Sequence, residues 1–501
     1  MTTNRFAVTF LTAALTAPLG PLIGLPSAWG YGADAAGAAF TSADPVAPLK
    51  AARSAAEAGD LMAQFTLGRI YADGKGVPRD GVEAEKWFNK ALLQARPAAE
   101  KGDARAQYLL GRIYSDGWVL PRDYTQAAAW YRKAADQGYG DGQADLGEMY
   151  YYGQGLAQDY GQAASWFRKA ADQGHADAQD NLGVMYSKAQ GVAQDYKEAV
   201  SWFGKAAGQG VASAQNSLGV AYTNGQGVAQ DYAAAVSWYR KAADQGNVDA
   251  QVNLGGMYYY GQGVAQDYKA AVSWYDKAVQ RGDAGAQFNL GVMYRKGQGV
   301  AQDYEAAVAW YRKAADKGNA EAQCNLGVMY KKGQGVSRSY EEAVGWFRRA
   351  ADRGDADAQF NLGQMYFEGL GLAKDPKEAV AWVRKAAGQG HADAQAWLDR
   401  LDRADAANAP GSRNQGSLNL AAGASAPQAA DAEAGKPKDQ ATRGRAAEKI
   451  KRRLQVPDTP QSQGKSTGST RLLAMIRGHK SAETAFLAVL ALAALVLWAR
   501  R

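Results

Sequence analysis

The chain has 501 residues, 57 Lys/Arg against 50 Asp/Glu, and one cysteine. Residues 404–501 hold 15 Lys/Arg against 7 Asp/Glu, leaving 42 against 43 for everything before them, so the body of the chain lacks the basic footprint that nucleic-acid binding needs. A single cysteine excludes a disulfide framework and a thiolate metal centre.

In chain order, Arg5 comes first, ahead of an apolar stretch from Phe6 to Leu25. Ala28-Trp29-Gly30 then places small residues where a signal peptidase reads them, so residues 1–30 are expected to be a signal peptide. The alternatives are an uncleaved membrane anchor and a disordered apolar start. Residues 31–47 are Ala/Gly-rich and expected to be loose.

From residue 48 to 407 the chain is periodic. Trp130 recurs as Trp166, Trp202, Trp238, Trp274, Trp310, Trp346 and Trp382, each 36 residues from the last. Trp87 opens the series 43 residues before Trp130, the insert around Leu92 to Ala98 lengthening that link. A period of this size means stacked helical hairpins. In one unit, Ala178, Leu182, Met185 and Tyr186 share a face at helical spacing, and a Gly-containing loop follows. Asp195 then caps a second helix, with Glu198 three residues on, and Ala199, Trp202, Phe203 and Ala206 form its apolar face. Gly210 ends it. The expected fold is an all-α solenoid of about nine such repeats, closed by half-repeat helices at both ends.

Gly183 and its equivalents lie inside the first helix, where glycine costs about 1 kcal/mol against alanine. The cost implies close packing of a neighbouring helix, the one that carries the bulky tryptophan.

In one unit Ala322, Gln323, Leu326, Gly327, Met329, Tyr330, Gly333, Gly335, Ala343, Trp346 and Ala350 follow an order that resembles the Sel1-like repeat, a relative of the tetratricopeptide repeat. The resemblance covers residues 50–400. Ser339 departs from it at a cap, Ala189 at a loop glycine and Trp118-Val119 at the second glycine step. It implies a right-handed superhelix of helix pairs acting as a protein-binding scaffold. A cysteine-rich subfamily is linked to β-lactam binding and hydrolysis, but its paired cysteines are missing here.

Asn181, Val184 and Lys188 fall on one flank of the first helix, and stacking turns that flank into a stripe. Asn253, Asn289, Asn325 and Asn361 continue the first position, and an amide both donates to and accepts from a peptide backbone. Tyr152, Lys188, Tyr260, Lys296 and Lys332 mark a second, more variable line, suited to partner specificity. These ten residues are the candidate partner-binding set. The competing reading has the asparagines bonding within the array.

No catalytic, cofactor or metal set is expected. His175 and His391 occupy a helix-start position that also takes Tyr139, Val211, Asn247 and Asp283, as a cap would. Cys324 stands where Phe288 and Phe360 stand, so a packed thiol is expected.

Residues 408–480 lose Trp and Tyr and read as a basic linker, with the cluster Glu448 to Leu454 inside it. Thr484 to Ala499 is apolar throughout and is expected to be a single membrane helix. With a signal peptide the repeats lie outside the cytoplasm; without one the chain is tail-anchored with cytoplasmic repeats. The reading is a membrane-tethered, non-enzymatic scaffold for a protein or peptide partner. Its alternatives are a cell-wall or β-lactam-acting family member and a self-assembling structural protein.

Overall fold

The computed structural model describes residues 46–408 apart from Lys75. The expected signal peptide, most of the loose segment, the linker from residue 409 and the membrane helix at 484–499 lie outside the described residues. Among the described residues all regular structure is helical: twenty α-helices run from α1 (Val46–Glu57) to α20 (Ala392–Asn408). None of these is long and apolar enough to cross a membrane. Each helix packs on the next, so hairpins stack one after another. The array is a nine-repeat solenoid with an extra helix at each end.

One hairpin shows why the sequence folds this way. α8 (Ala176–Lys188) and α9 (Tyr196–Gly208) have 13 residues each. Asp195 starts α9, its carboxylate accepting from the Lys197 and Glu198 amides at 2.9 and 3.1 Å. Such a cap satisfies amides that the first helical turn leaves without partners. Ser339 does the same work at its own helix, accepting from the Glu342 amide at 3.2 Å. The first helices end on glycines with positive φ, with one exception. Ala189 closes α8 at φ 57°, the one non-glycine residue with positive φ among the described residues. His175 is a cap as expected: its Nδ1 accepts from the Ala178 amide at 3.2 Å, and His391 repeats this with Ala394.

The glycine inside the first helix packs closely on the helix that carries the tryptophan, as expected, and the side chain it meets there is the phenylalanine next to that tryptophan. A Cβ on Gly183 would lie 2.7 Å from the ring of Phe203, not against Trp202. Consecutive helical residues point about 100° apart, so the two aromatics serve different neighbours. Phe203 fills the notch of its own hairpin. Trp202 packs into a cluster shared with the preceding hairpin, against Phe167 of that hairpin and Leu182 and Met185 of its own. The outer side of its indole is covered by Lys205, whose ammonium lies 3.6 Å from the ring centre.

In most units a buried glutamine pins the hairpin to the helix before it. Gln179 Nε2 donates to the Ala171 carbonyl at 3.0 Å, and its Oε1 accepts from Gln209 Nε2 at 2.8 Å. The same relay joins Gln137 to Gln107, Gln173 to Gln143, Gln245 to Gln215 and Gln389 to Gln359. It is broken where Arg281, Lys317 and Arg353 replace the donor. The oxygens left behind, on Gln251, Gln287 and Gln323, are buried without a hydrogen-bond partner.

The insert at Leu92 to Ala98 continues a helix: α3 (Gly81–Glu100) has 20 residues and carries Pro97 inside it. Trp118 stacks on Phe88 of α3 at 5.3 Å, and Val119 packs into the same cluster. In the third hairpin the equivalent of Val119 is Gly155, where a Cβ would stand 2.2 Å from the Tyr124 carbonyl oxygen. The departure from the repeat pattern therefore accompanies the lengthened helix.

Candidate partner-binding surface

The ten stripe residues all lie on first helices, and their environments differ. Asn289 is buried, and its Oδ1 has no hydrogen-bond partner. Asn253 donates to Asn216 of the preceding repeat at 3.1 Å. Asn361 donates to the Asp357 carbonyl of its own helix at 2.8 Å. Asn181 and Asn325 are half-buried. The asparagine line thus combines internal bonding with open positions. Its members do not form one continuous ladder.

The second line lies at the last turn of the first helices. Tyr152 and Tyr260 end theirs, half-buried, each set edge-to-face against the tyrosine before it at 5.1 and 4.8 Å. Lys188 is half-buried, while Lys296 and Lys332 are exposed. Lys296 Nζ donates to the Tyr259 hydroxyl at 3.2 Å. Desolvation at the base of the side chain lowers the pKa of Lys188 and, although its surface is exposed overall, of Lys296, which the nearby Arg295 charge lowers further.

Sequence reasoning missed a charged cluster on the same face. Arg112 reaches Asp145 and Asp116, both at 3.7 Å, and accompanies the buried Tyr108 hydroxyl at 3.2 Å. Burial, with Asp145 and Asp177 close by, pushes the Glu148 carboxyl up to about 8. Asp180 lies one repeat on, 8% exposed. Ser213 donates to its Oδ2 at 2.5 Å while Oδ1 has no partner, and burial raises its carboxyl to about 7. The periodic pattern gives no cue to this cluster, because Asp145, Glu148 and Asp180 stand where most units carry Asn, Val or an apolar residue. Among the described residues no group of His, Cys, Asp and Glu is arranged to hold a metal ion. Cys324 is buried, and burial holds its thiol well above the ordinary range.

Helical hairpins stacked one on the next at a fixed period define an α-solenoid repeat protein. The Sel1 repeat model matches nine segments, 61–95, 104–139, 140–175, 176–211, 212–247, 248–283, 284–319, 320–355 and 356–391, and the chain belongs to that family. Proteins of this family act in general as protein-interaction scaffolds and are in general non-enzymatic. Among solved structures, the chain is similar to c5321, described as a protective antigen present in uropathogenic Escherichia coli strains displaying an SLR fold. Identity is 36% over 70% of this chain and 82% of that one, with a TM-score of 0.48. It is also similar to a Sel1 repeat protein from Oxalobacter formigenes, at 34% identity over 62% of this chain and 90% of that one, TM-score 0.49. No curated protein matches the chain.

Proposed function

We propose that the chain is a membrane-tethered, non-enzymatic scaffold that holds a protein or peptide partner along the concave face of a right-handed superhelix lined by its first helices. The observation that carries this reading is the contrast between constant and variable positions. The buried glutamine and the notch glycine recur from unit to unit, while the line through Tyr152, Lys188, Asn224, Tyr260, Lys296, Lys332 and Glu368 changes in charge and size. Solvated positions vary freely too, and what favours a partner here is that this line includes half-buried tyrosines, a residue type enriched where binding energy concentrates.

A photo-crosslinking residue placed at Asn325 or Lys332 of the full chain in its native cells tests this. Crosslinks to a discrete protein from these sites, and none from Ser201 on the second helix, are expected. Equal crosslinking from both faces, or none from the stripe, overturns it.

The tether rests on the apolar segment Thr484 to Ala499, and the export of the repeats on the pattern of residues 1–30. Added protease, with the outer barrier opened and the inner membrane intact, is expected to digest the repeats. Survival until that membrane is lysed places them in the cytoplasm.

A further inference from the structure

The third and sixth repeats carry the same tip. Residues 149–155 and 257–263 both read Met-Tyr-Tyr-Tyr-Gly-Gln-Gly, three repeat lengths apart, and no other described segment has three consecutive tyrosines. The two tips fold alike. Tyr151 meets Tyr152 edge-to-face at 76° and Tyr160 at 66°; Tyr259 meets Tyr260 at 81° and Tyr268 at 64°. Tyr151 and Tyr259 each hydrogen-bond to a loop glutamine of the next repeat, Gln190 and Gln298, at 2.8 Å. That next repeat also supplies a lysine at the end of its first helix, Lys188 in one case and Lys296 in the other.

A lysine at a helix C-terminus gains from the helix dipole wherever it occurs, so the cations alone specify nothing. The duplicated arrangement of two rings, an amide and a cation goes beyond that requirement. Rings held edge-to-face leave an aromatic surface whose shape is set before any ligand arrives, which limits the ordering cost of binding. Arg295 adds further positive charge at the second tip, close to Tyr259. At the first tip Glu148 lies near Tyr152, and burial with its acidic neighbours raises its carboxyl to about 8, so near neutral pH Lys188 is the charge a ligand meets there. The chemistry that complements this edge is a carboxylate next to an aromatic or apolar side chain.

We propose that the two tips are equivalent anchor sites for a single extended acidic segment of the partner, each taking a carboxylate at the lysine and an aromatic side chain at the tyrosine pair. This rests on the scaffold reading above and adds the partner's charge and spacing to it. Packed helices lie roughly 10 Å apart, so sites three repeats apart are separated by about 30 Å. Extended chain rises about 3.3 Å per residue, so the two anchors stand about nine residues apart in the partner.

The test uses the full chain and two labelled synthetic peptides. Each bears two Glu-Tyr-Glu anchors in a Gly/Ser background, spaced nine residues apart in one and three in the other. By fluorescence anisotropy the nine-residue spacing is expected to bind at least tenfold more tightly. Lys188→Ala or Lys296→Ala is expected to reduce it to the level of the short spacing, with the helical circular dichroism unchanged. Tyr260→Ser provides a second, charge-neutral variant with the same expected loss. Equal affinity for the two spacings, undetectable binding of both, or indifference to Lys296→Ala and Tyr260→Ser overturns the twin-anchor proposal. If any of these coincides with specific crosslinking from Asn325, the scaffold reading stands and only the anchors fall. Without such crosslinking both fall.

Discussion

Replacing Arg353 with glutamine is expected to stabilise the eighth repeat. Arg353 ends its second helix at φ −87° and ψ 1°, almost the geometry of Gln209 at −86° and 2°, so the backbone already suits glutamine. Thirty residues earlier, Gln323 donates to the Ala315 carbonyl at 3.0 Å, but its Oε1 is buried without a partner. In the intact relay the equivalent oxygen on Gln215 receives Gln245 at 2.8 Å. A buried acceptor left unsatisfied costs roughly 1–3 kcal/mol, and a neutral hydrogen bond contributes about 1 kcal/mol net. Ordering one more side chain offsets part of this, so Arg353→Gln is expected to gain about 1 kcal/mol, and Gln245→Arg to lose as much. Stability in a repeat array is local, so the assay is hydrogen exchange resolved by repeat. Protection of residues 320–332 is expected to rise about fivefold in Arg353→Gln, and that of residues 212–224 to fall by a similar factor in Gln245→Arg. If neither changes, solvent satisfies the exposed link of the relay and the glutamines contribute packing alone.

Asp180 makes stability depend on pH. Its folded carboxyl titrates at about 7, against about 3.9 for an unfolded aspartate, so the folded state binds the proton more tightly. Its contribution is complete below about pH 4, declines as pH rises, and is lost above about 7. Asp180→Asn is therefore expected to match the parent near pH 4 and to be more stable at pH 8, by up to about 4 kcal/mol, as read by denaturant unfolding. Equal pH profiles refute this. Gly183→Ala is expected to destabilise by about 1–2 kcal/mol because its Cβ meets the Phe203 ring at 2.7 Å, whereas Gly204→Ala, with nothing within 4 Å, gains up to about 1 kcal/mol. Thermal unfolding of the pair checks the contrast. Ala189→Gly is expected to stabilise by up to about 1 kcal/mol, since alanine at φ 57° is strained, and an unchanged melting temperature removes that account.

Much of the hairpin was legible because its determinants are local. The caps Asp195 and His175 bond within three residues of themselves, and Ala199, Phe203 and Ala206 share a face by helical geometry. The notch at Gly183 was legible as close packing on the helix that carries Trp202, but that Phe203 is the side chain filling it was not. Which of two adjacent aromatics faces the notch depends on how successive hairpins lean, a tertiary quantity. The glutamine relay was invisible for a similar reason. Its partners are 30 residues apart, and a glutamine at a helix end reads as an ordinary polar residue until the stacking is known. At the candidate surface, the line of Tyr152, Lys188, Tyr260 and Lys296 could be drawn from spacing. That Asn253 would turn toward Asn216 and Asn289 would be buried could not.

The long helix α3 carries a lesson about length. Seven residues turn an α-helix through 700°, about 20° short of two full turns, so a heptad lengthens a helix while barely rotating its apolar side. Ala84, Phe88, Ala91, Ala95 and Ala99 accordingly stay buried along the whole of α3. An insertion of five residues would swing everything beyond it by about 140° and expose that alanine row. Eleven residues, at about 1,100°, overshoot three turns by about the same 20° and would serve as well. An engineer widening one rung therefore has a choice of a few lengths, and this chain uses the shortest that keeps the row within about 20° of its line.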